Sequence, residues 1–285
     1  GALNCLLLSE IAFVRLVNLP ESQFRELITG LAEVMDMHLP SPDAASHASE
    51  ALVALVNKPD TRLRIMSPHN GILESLLTSM TSMLTVRHLD NIREDGTPFK
   101  KISNAASVLV AISSDTEGQV KIMTRHPHLT TLMDGLTTVI ATADTASIWL
   151  AASVLRNLVS CAELCEWLML RPPEQVNALM AGTFVLLHST DAGVARATAL
   201  ALRNLALTVP GKLLALERTI VSNMMSGILM LLAAADEVTV EAGCTTINSL
   251  LAEPLSFEVI YPQKGGGTNE IELLEHMVVA LCQVM

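Results

Sequence analysis

The sequence predicts an all-α protein built from a repeated helical unit, and three observations carry that expectation. Half of the 285 residues are hydrophobic yet only 3% are aromatic, so the core must be aliphatic. Leu, Ala and Met are good helix formers, and the 14 methionines fill irregular gaps between helices. The alternating polarity and aromatic enrichment of β-strands are missing. The phrase "LRNL" also occurs twice, within "AASVLRNLVSC" (151–161) and "ATALALRNLALTV" (197–209).

The doubled phrase belongs to a longer series. "VLRNL" (154–158) and "ALRNL" (201–205) are offset by 47 residues. "TINSL" (246–250) follows 45 residues later, and "VLVAI" (108–112) precedes "VLRNL" by 46. "ALVAL" (51–55) stands 57 residues before "VLVAI", and the excess falls in the polar stretch "RHLDNIREDGTPFKK" (87–101). Five anchors at nearly constant spacing define a repeat.

Taken in order, residues 1–40 hold two amphipathic helices, "NCLLLSEIAFVRLV" and "ESQFRELITGLAEVMDMH", joined at Leu19-Pro20. They read as a capping pair. Residues 41–285 hold about five repeats, with anchor helices near 45–57, 102–114, 146–160, 191–207 and 237–252. After each anchor comes a polar break such as "NKPDT", "SSDTEGQ" or "TVPGK". A short helical piece such as "LCEWLML" follows, then a second long amphipathic helix such as "HLTTLMDGLTTVIA". Ser, Asp or Pro ahead of the apolar runs, as in "SPDAA" and "STDAG", marks helix starts. Residues 87–101 read as an inserted mobile loop, and 253–269, containing part of "KGGGTNE", as a flexible connector. The closing "EIELLEHMVVALCQVM" reads as one more apolar helix, and the initial Gly1 leads us to expect flanking sequence. No such helix buries its apolar stripe alone, so neighbours must stack.

The formal charge of −11 repels phosphate backbones and argues against general nucleic-acid binding. Five cysteines are too sparse for a disulfide framework and read as reduced thiols, which implies a cytoplasmic or nuclear protein. The N-terminal stretch is interrupted by Glu10 and Arg15 and lacks a basic start, so it does not read as a signal peptide. No run is long and apolar enough for membrane insertion. His126 with His128, and Cys161 with Cys165, lack the further ligands of a zinc site. Neither a phosphate loop nor a nucleophile elbow nor a His-Glu-x-x-His motif occurs. No catalytic residue, metal or cofactor is expected, and His47 and His188 read as rim or packing residues.

With "ALALRNLAL" and "SVLRNLVS" on the page, the chain resembles the armadillo-repeat (ARM/HEAT-like) superfamily, whose third helices carry "LRNL" or "LSNI" phrases. The likeness covers roughly residues 41–285. It implies a right-handed superhelical solenoid of three-helix repeats, with third helices lining a concave groove where Asn side chains clamp an extended peptide. Carried over, that ladder falls on Ala54, Ala111, Asn157, Asn204 and Ser249. Importin-like and catenin-like members often place Trp four residues before the Asn; here those positions are Ser153 and Leu200, and Trp149 lies eight before Asn157. The resemblance thus nominates Ser153, Arg156, Asn157, Leu200, Arg203, Asn204 and Ser249 as a peptide-binding groove. Arg156 and Arg203 either reach ligand carboxylates or pair with a neighbouring repeat; Asn157 and Asn204 either hold a ligand or brace the fold. The implied function is non-enzymatic: a scaffold or adaptor that holds an extended or helical protein segment, an acidic one among the candidates, inside a larger assembly. The alternative is a transport receptor or ubiquitin-pathway adaptor of the same fold.

Overall fold

The computed structural model describes residues 10–36, 42–67, 69, 71–84, 98–124 and 126–253. Among these residues the chain forms α-helices and one 3-10 turn, with no strand. In order they are α1 (Glu10–Val17), α2 (Glu21–Asp36), α3 (Pro42–Asn57), α4 (Pro59–Met66), α5 (Ile72–Met83) and α6 (Pro98–Ser113). Then come α7 (Thr116–Thr124), α8 (His126–Thr142), α9 (Thr145–Leu158), α10 (Ala162–Leu168) and α11 (Pro173–Val185). The turn Leu186–His188 leads to α12 (Ala192–Thr208), α13 (Pro210–Leu214), α14 (Arg218–Leu232) and α15 (Glu237–Leu251). The five anchors expected from the spacing are α3, α6, α9, α12 and α15.

Local chemistry starts three of the five anchors in the same way. Asp191 accepts a hydrogen bond from the backbone N–H of Val194 at 2.9 Å, and Asp236 from Thr239 at 3.0 Å. Asp144 accepts from Ser147 at 3.1 Å ahead of α9. Each side chain satisfies an N–H that the first helical turn leaves unbonded, worth about 1 kcal/mol. Inside each anchor, two apolar positions flank the ladder residue and lie fully in the core. Leu52, Leu109, Leu155, Leu202 and Ile247 stand two residues before it, and Leu55, Ile112, Leu158, Leu205 and Leu250 one after.

The short helices close the anchors. A buried side chain on three of them donates to a carbonyl six residues upstream, at the otherwise open C-terminal end of the preceding anchor. Thr61 Oγ1 donates to Leu55, Gln119 Nε2 to Ser113 at 3.1 Å, and Cys165 Sγ to Val159 at 3.0 Å. Three chemically different residues thus fill one structural role.

The chain divides into two compact units, Gly1–Val154 and Leu155–Met285, with the boundary inside α9. In the first unit α2 packs against α3 and α5, and α6 packs against α3 and α5. Arg62 ties successive repeats there: it donates to the carbonyls of Ala111 and Ile112 at 3.0 and 3.1 Å and pairs with Asp115 at 2.6 Å. In the second unit α14 packs against α11 and α15, and α15 against α12. Second helices therefore stack on second helices, anchors on anchors, and each such hairpin joins a second helix to the anchor that follows it.

Packing moves one expected boundary, and α2 and α3, on either side of residue 40, pack as one hairpin in the manner of α14 with α15. Residues 98–101, read as the end of an inserted loop, form the first turn of α6. Pro98 opens that helix, where its missing N–H costs nothing and its fixed φ fits. Residues 1–9 and 87–97, the "KGGGTNE" stretch and the closing apolar run lie outside the described residues.

A second recurrent phrase lies in the second helices. Two apolar residues, one variable residue and a small residue recur as "LITG" (27–30), "LLTS" (76–79), "LMDG" (132–135), "LMAG" (179–182) and "MMSG" (224–227). A Cβ built at Gly227 would stand 2.6 Å from Leu187 Cδ1, and one at Gly135 would stand 2.8 Å from Leu84 Cβ. Each contact runs from a second helix to the residues just past the end of the preceding second helix, so the small residue admits the preceding repeat.

Candidate functional site

The second unit holds six of the seven nominated residues. Arg156 and Asn157 lie in the last turns of α9, Leu200, Arg203 and Asn204 along α12, and Ser249 near the end of α15. All six are half-buried, whereas Ser153 is only 3% exposed and is absorbed into the core. Ser153 is therefore corrected from a groove residue to a packing residue: a small side chain at that position sinks where a Trp would project.

The Arg-Asn pair works as a unit. Arg156 donates from Nε at 3.2 Å and from a terminal guanidinium nitrogen at 2.9 Å to the carboxamide oxygen of Asn157. Arg203 reaches Asn204 with one terminal nitrogen only, at 3.5 Å. In both repeats the Asn oxygen accepts from the arginine that precedes it. The position of Arg156 in the final turn of α9 also sets its charge against the negative end of that helix.

The rest of the ladder differs. Ser249 donates its hydroxyl to the Thr245 carbonyl at 3.0 Å, a bond inside its own helix. The neighbouring Asn248 is exposed and supplies the amide of α15 one residue earlier than the carried-over register. In the first unit the ladder positions are Ala54 and Ala111, which carry no amide. Candidate ligand contacts are thus confined to the second unit.

Arg196 is a member of this face that the repeat phrase does not contain. It lies seven residues before Arg203, two turns along the same side of α12. Burial first, and then the positive charge of Arg196, hold the Arg156 guanidinium below its ordinary pKa. A hydrophobic periodicity count alone passes over Arg196; plotting charges at seven-residue steps along α12 would have found it.

The thiols have a different character. Cys161 Sγ donates to Glu163 at 3.0 Å, and burial pushes its pKa up. Burial also pushes the Cys165 thiol up to about 11. Among the described residues no three His, Cys, Asp or Glu side chains gather as metal ligands. The side chains of His126 and His128 lie outside the described set. No single described helix is long and apolar enough to cross a membrane.

No family model matches the chain, and no curated protein matches it. Solved structures do. An engineered protein solved as a structural-genomics target is 15% identical, with a TM-score of 0.59 over 90% of this chain and 97% of that one. A designed armadillo repeat protein is 13% identical, with a TM-score of 0.57 over 89% of this chain and 99% of that one. Another, crystallised in complex with the peptide (KR)4, is 13% identical, with a TM-score of 0.52 over 89% and 98%. These likenesses define the class: the chain has an armadillo-like repeat fold.

Proposed function

We propose that the chain is a non-enzymatic protein-binding scaffold that holds an extended segment of a partner across the anchor helices of its second unit. One observation carries the reading: α9 and α12 each carry a half-exposed Asn whose carboxamide oxygen accepts from the preceding Arg. An extended backbone presents carbonyls and N–H groups at regular intervals, and a repeated amide is matched to a repeated backbone. One designed protein of the same fold was solved with the peptide (KR)4, which supports peptide binding as the use of such a face. In the present chain the adjacent arginines oppose a basic ligand. A cytoplasmic or nuclear location belongs to the same reading.

The test is an array of extended peptides probed with the wild-type protein and with an Asn157→Ala, Asn204→Ala double variant. The variant is expected to keep its helical circular dichroism and its melting curve while losing the array signal. Unchanged binding, or a large loss of stability with binding intact per folded molecule, would assign the pair to bracing and overturn the reading.

A further inference from the structure

Two arginines of the first unit are well compensated. Arg62 pairs with Asp115 at 2.6 Å, and Arg64 pairs with Glu21 at 2.8 Å while stacking on Phe24. Arg156, Arg196 and Arg203 are different. Among the described residues none of the three has a carboxylate within ion-pair distance. The acid that feels Arg196 is Asp236, and its carboxylate already caps α15 by accepting from Thr239.

The cluster is also short of hydrogen-bond acceptors. Arg203 Nε is buried and makes no hydrogen bond. Each guanidinium carries five N–H donors, and the Asn oxygens take only one side of the fork. A half-buried guanidinium whose donors lack acceptors is costly, and like charges held near one another add to that cost. In a chain of net charge −11 this arrangement runs against the overall balance. Arginine stays protonated despite such surroundings, so the cluster cannot relieve itself by losing protons. An incoming anion removes all of these penalties together.

We infer that the face formed by Arg156, Arg196 and Arg203 binds the oxyanions of an extended acidic protein segment, supplied by its carboxylate or phosphoester side chains. The inference rests on the peptide-scaffold reading and adds the chemistry of the partner. The amides address the segment's backbone, and the arginines select its side chains through planar two-point contacts. The negative charge of the remainder of the protein disfavours a nucleic-acid polyanion as occupant.

The test uses the full chain and four labelled peptides of equal length: alternating Ser-Glu, Ser-Gln and Ser-Lys, and a phosphoserine-Gln peptide. A single-stranded oligonucleotide serves as the competing class. The Ser-Glu or phosphoserine peptide is expected to bind at least about tenfold more tightly than Ser-Gln, weakening as salt is raised. The tighter of the two identifies carboxylate or phosphate as the source. Arg196→Gln is expected to lose roughly fivefold for the anionic peptide and nothing for Ser-Gln, and Arg203→Gln, which also releases the Asn204 amide, to weaken both peptides but the anionic one more. Arg203→Lys should restore part of the loss. Arg196 is exposed, so its variant keeps the test valid if a change at Arg203 unfolds the repeat.

Affinity for Ser-Gln equal to that for both anionic peptides, or silent arginine variants, would overturn the inference. If the Asn157, Asn204 double variant still lost all peptides in that case, the scaffold reading would survive. Arginine-dependent anion binding that ignores the two Asn changes would do the reverse. An oligonucleotide that binds as tightly as the acidic peptide would refute a protein segment as the ligand.

Discussion

Leu202 and Leu207 lie on the same helix five residues apart, and the repeat packing assigns them opposite consequences. Leu202 is 0% exposed, in the helix that packs against α10, α13 and α15. Leu207 is 57% exposed. Leu202→Ala removes three carbons from the core, or about 2.4 kcal/mol at about 0.8 kcal/mol per carbon group. The hole left between packed helices adds to this, so the total should reach about 3–5 kcal/mol. Leu207→Ala removes the same atoms from a surface already half in water and should cost less than about 1 kcal/mol. Urea unfolding followed by far-ultraviolet circular dichroism compares the two variants directly. Amide hydrogen exchange adds the second half of the argument. Stability passes between nearest neighbours, so Leu202→Ala should speed exchange in α15 as well as in α12. Equal midpoint shifts for the two variants, or faster exchange confined to α12, would refute the stacking assigned here.

The remaining predictions concern glycine and cysteine. A Cβ at Gly227 would crowd Leu187, whereas one at Gly30 meets nothing within 4 Å. Gly227→Ala should therefore destabilise by about 1–3 kcal/mol through overpacking, and Gly30→Ala should stabilise by about 0.5–1 kcal/mol through helix propensity. Shifts of the same sign in thermal melts would undo the proposed role of that small residue. Cys165, buried and with its thiol pKa near 11, should resist alkylation in the native protein at neutral pH and react once urea unfolds it. Rapid native labelling, read by mass spectrometry, would contradict its place beneath Val159.

Much of the fold was legible because the period is written redundantly. The anchor phrase, the aspartates at 144, 191 and 236, and the small residue of the second helix all repeat in step. Boundaries were less legible wherever one residue type serves two ends. Pro98 stands two residues after Gly96 in a charged stretch, which in sequence resembles a loop, yet proline is equally suited to a first helical turn. The pairing of α2 with α3 is a tertiary contact between consecutive helices, which the amphipathic pattern of each helix does not by itself specify. The same limit explains Ser153: its position matched a projecting residue elsewhere, but its burial follows from what packs over it.

The site was legible in part for a related reason. At the two positions flanking each ladder residue, stacking accepts only Leu or Ile, and the structure shows every one of them buried. The ladder position itself is not under that demand, and its occupants range over Ala54, Ala111, Asn157, Asn204 and Ser249. A residue that varies while its neighbours stay fixed reports something other than packing. The preceding position varies with it, from Val53 and Val110 to Arg156, Arg203 and Asn248. Where the ladder is alanine its neighbour is valine, and where it is asparagine its neighbour is the arginine that holds the amide. Hydrogen-bonding equipment therefore arrives as a matched pair, and only in the second unit. Arg196 extends the pair by charge rather than by phrase. It was missed for that reason, and it separates an acidic-segment site from a pair of braced amides.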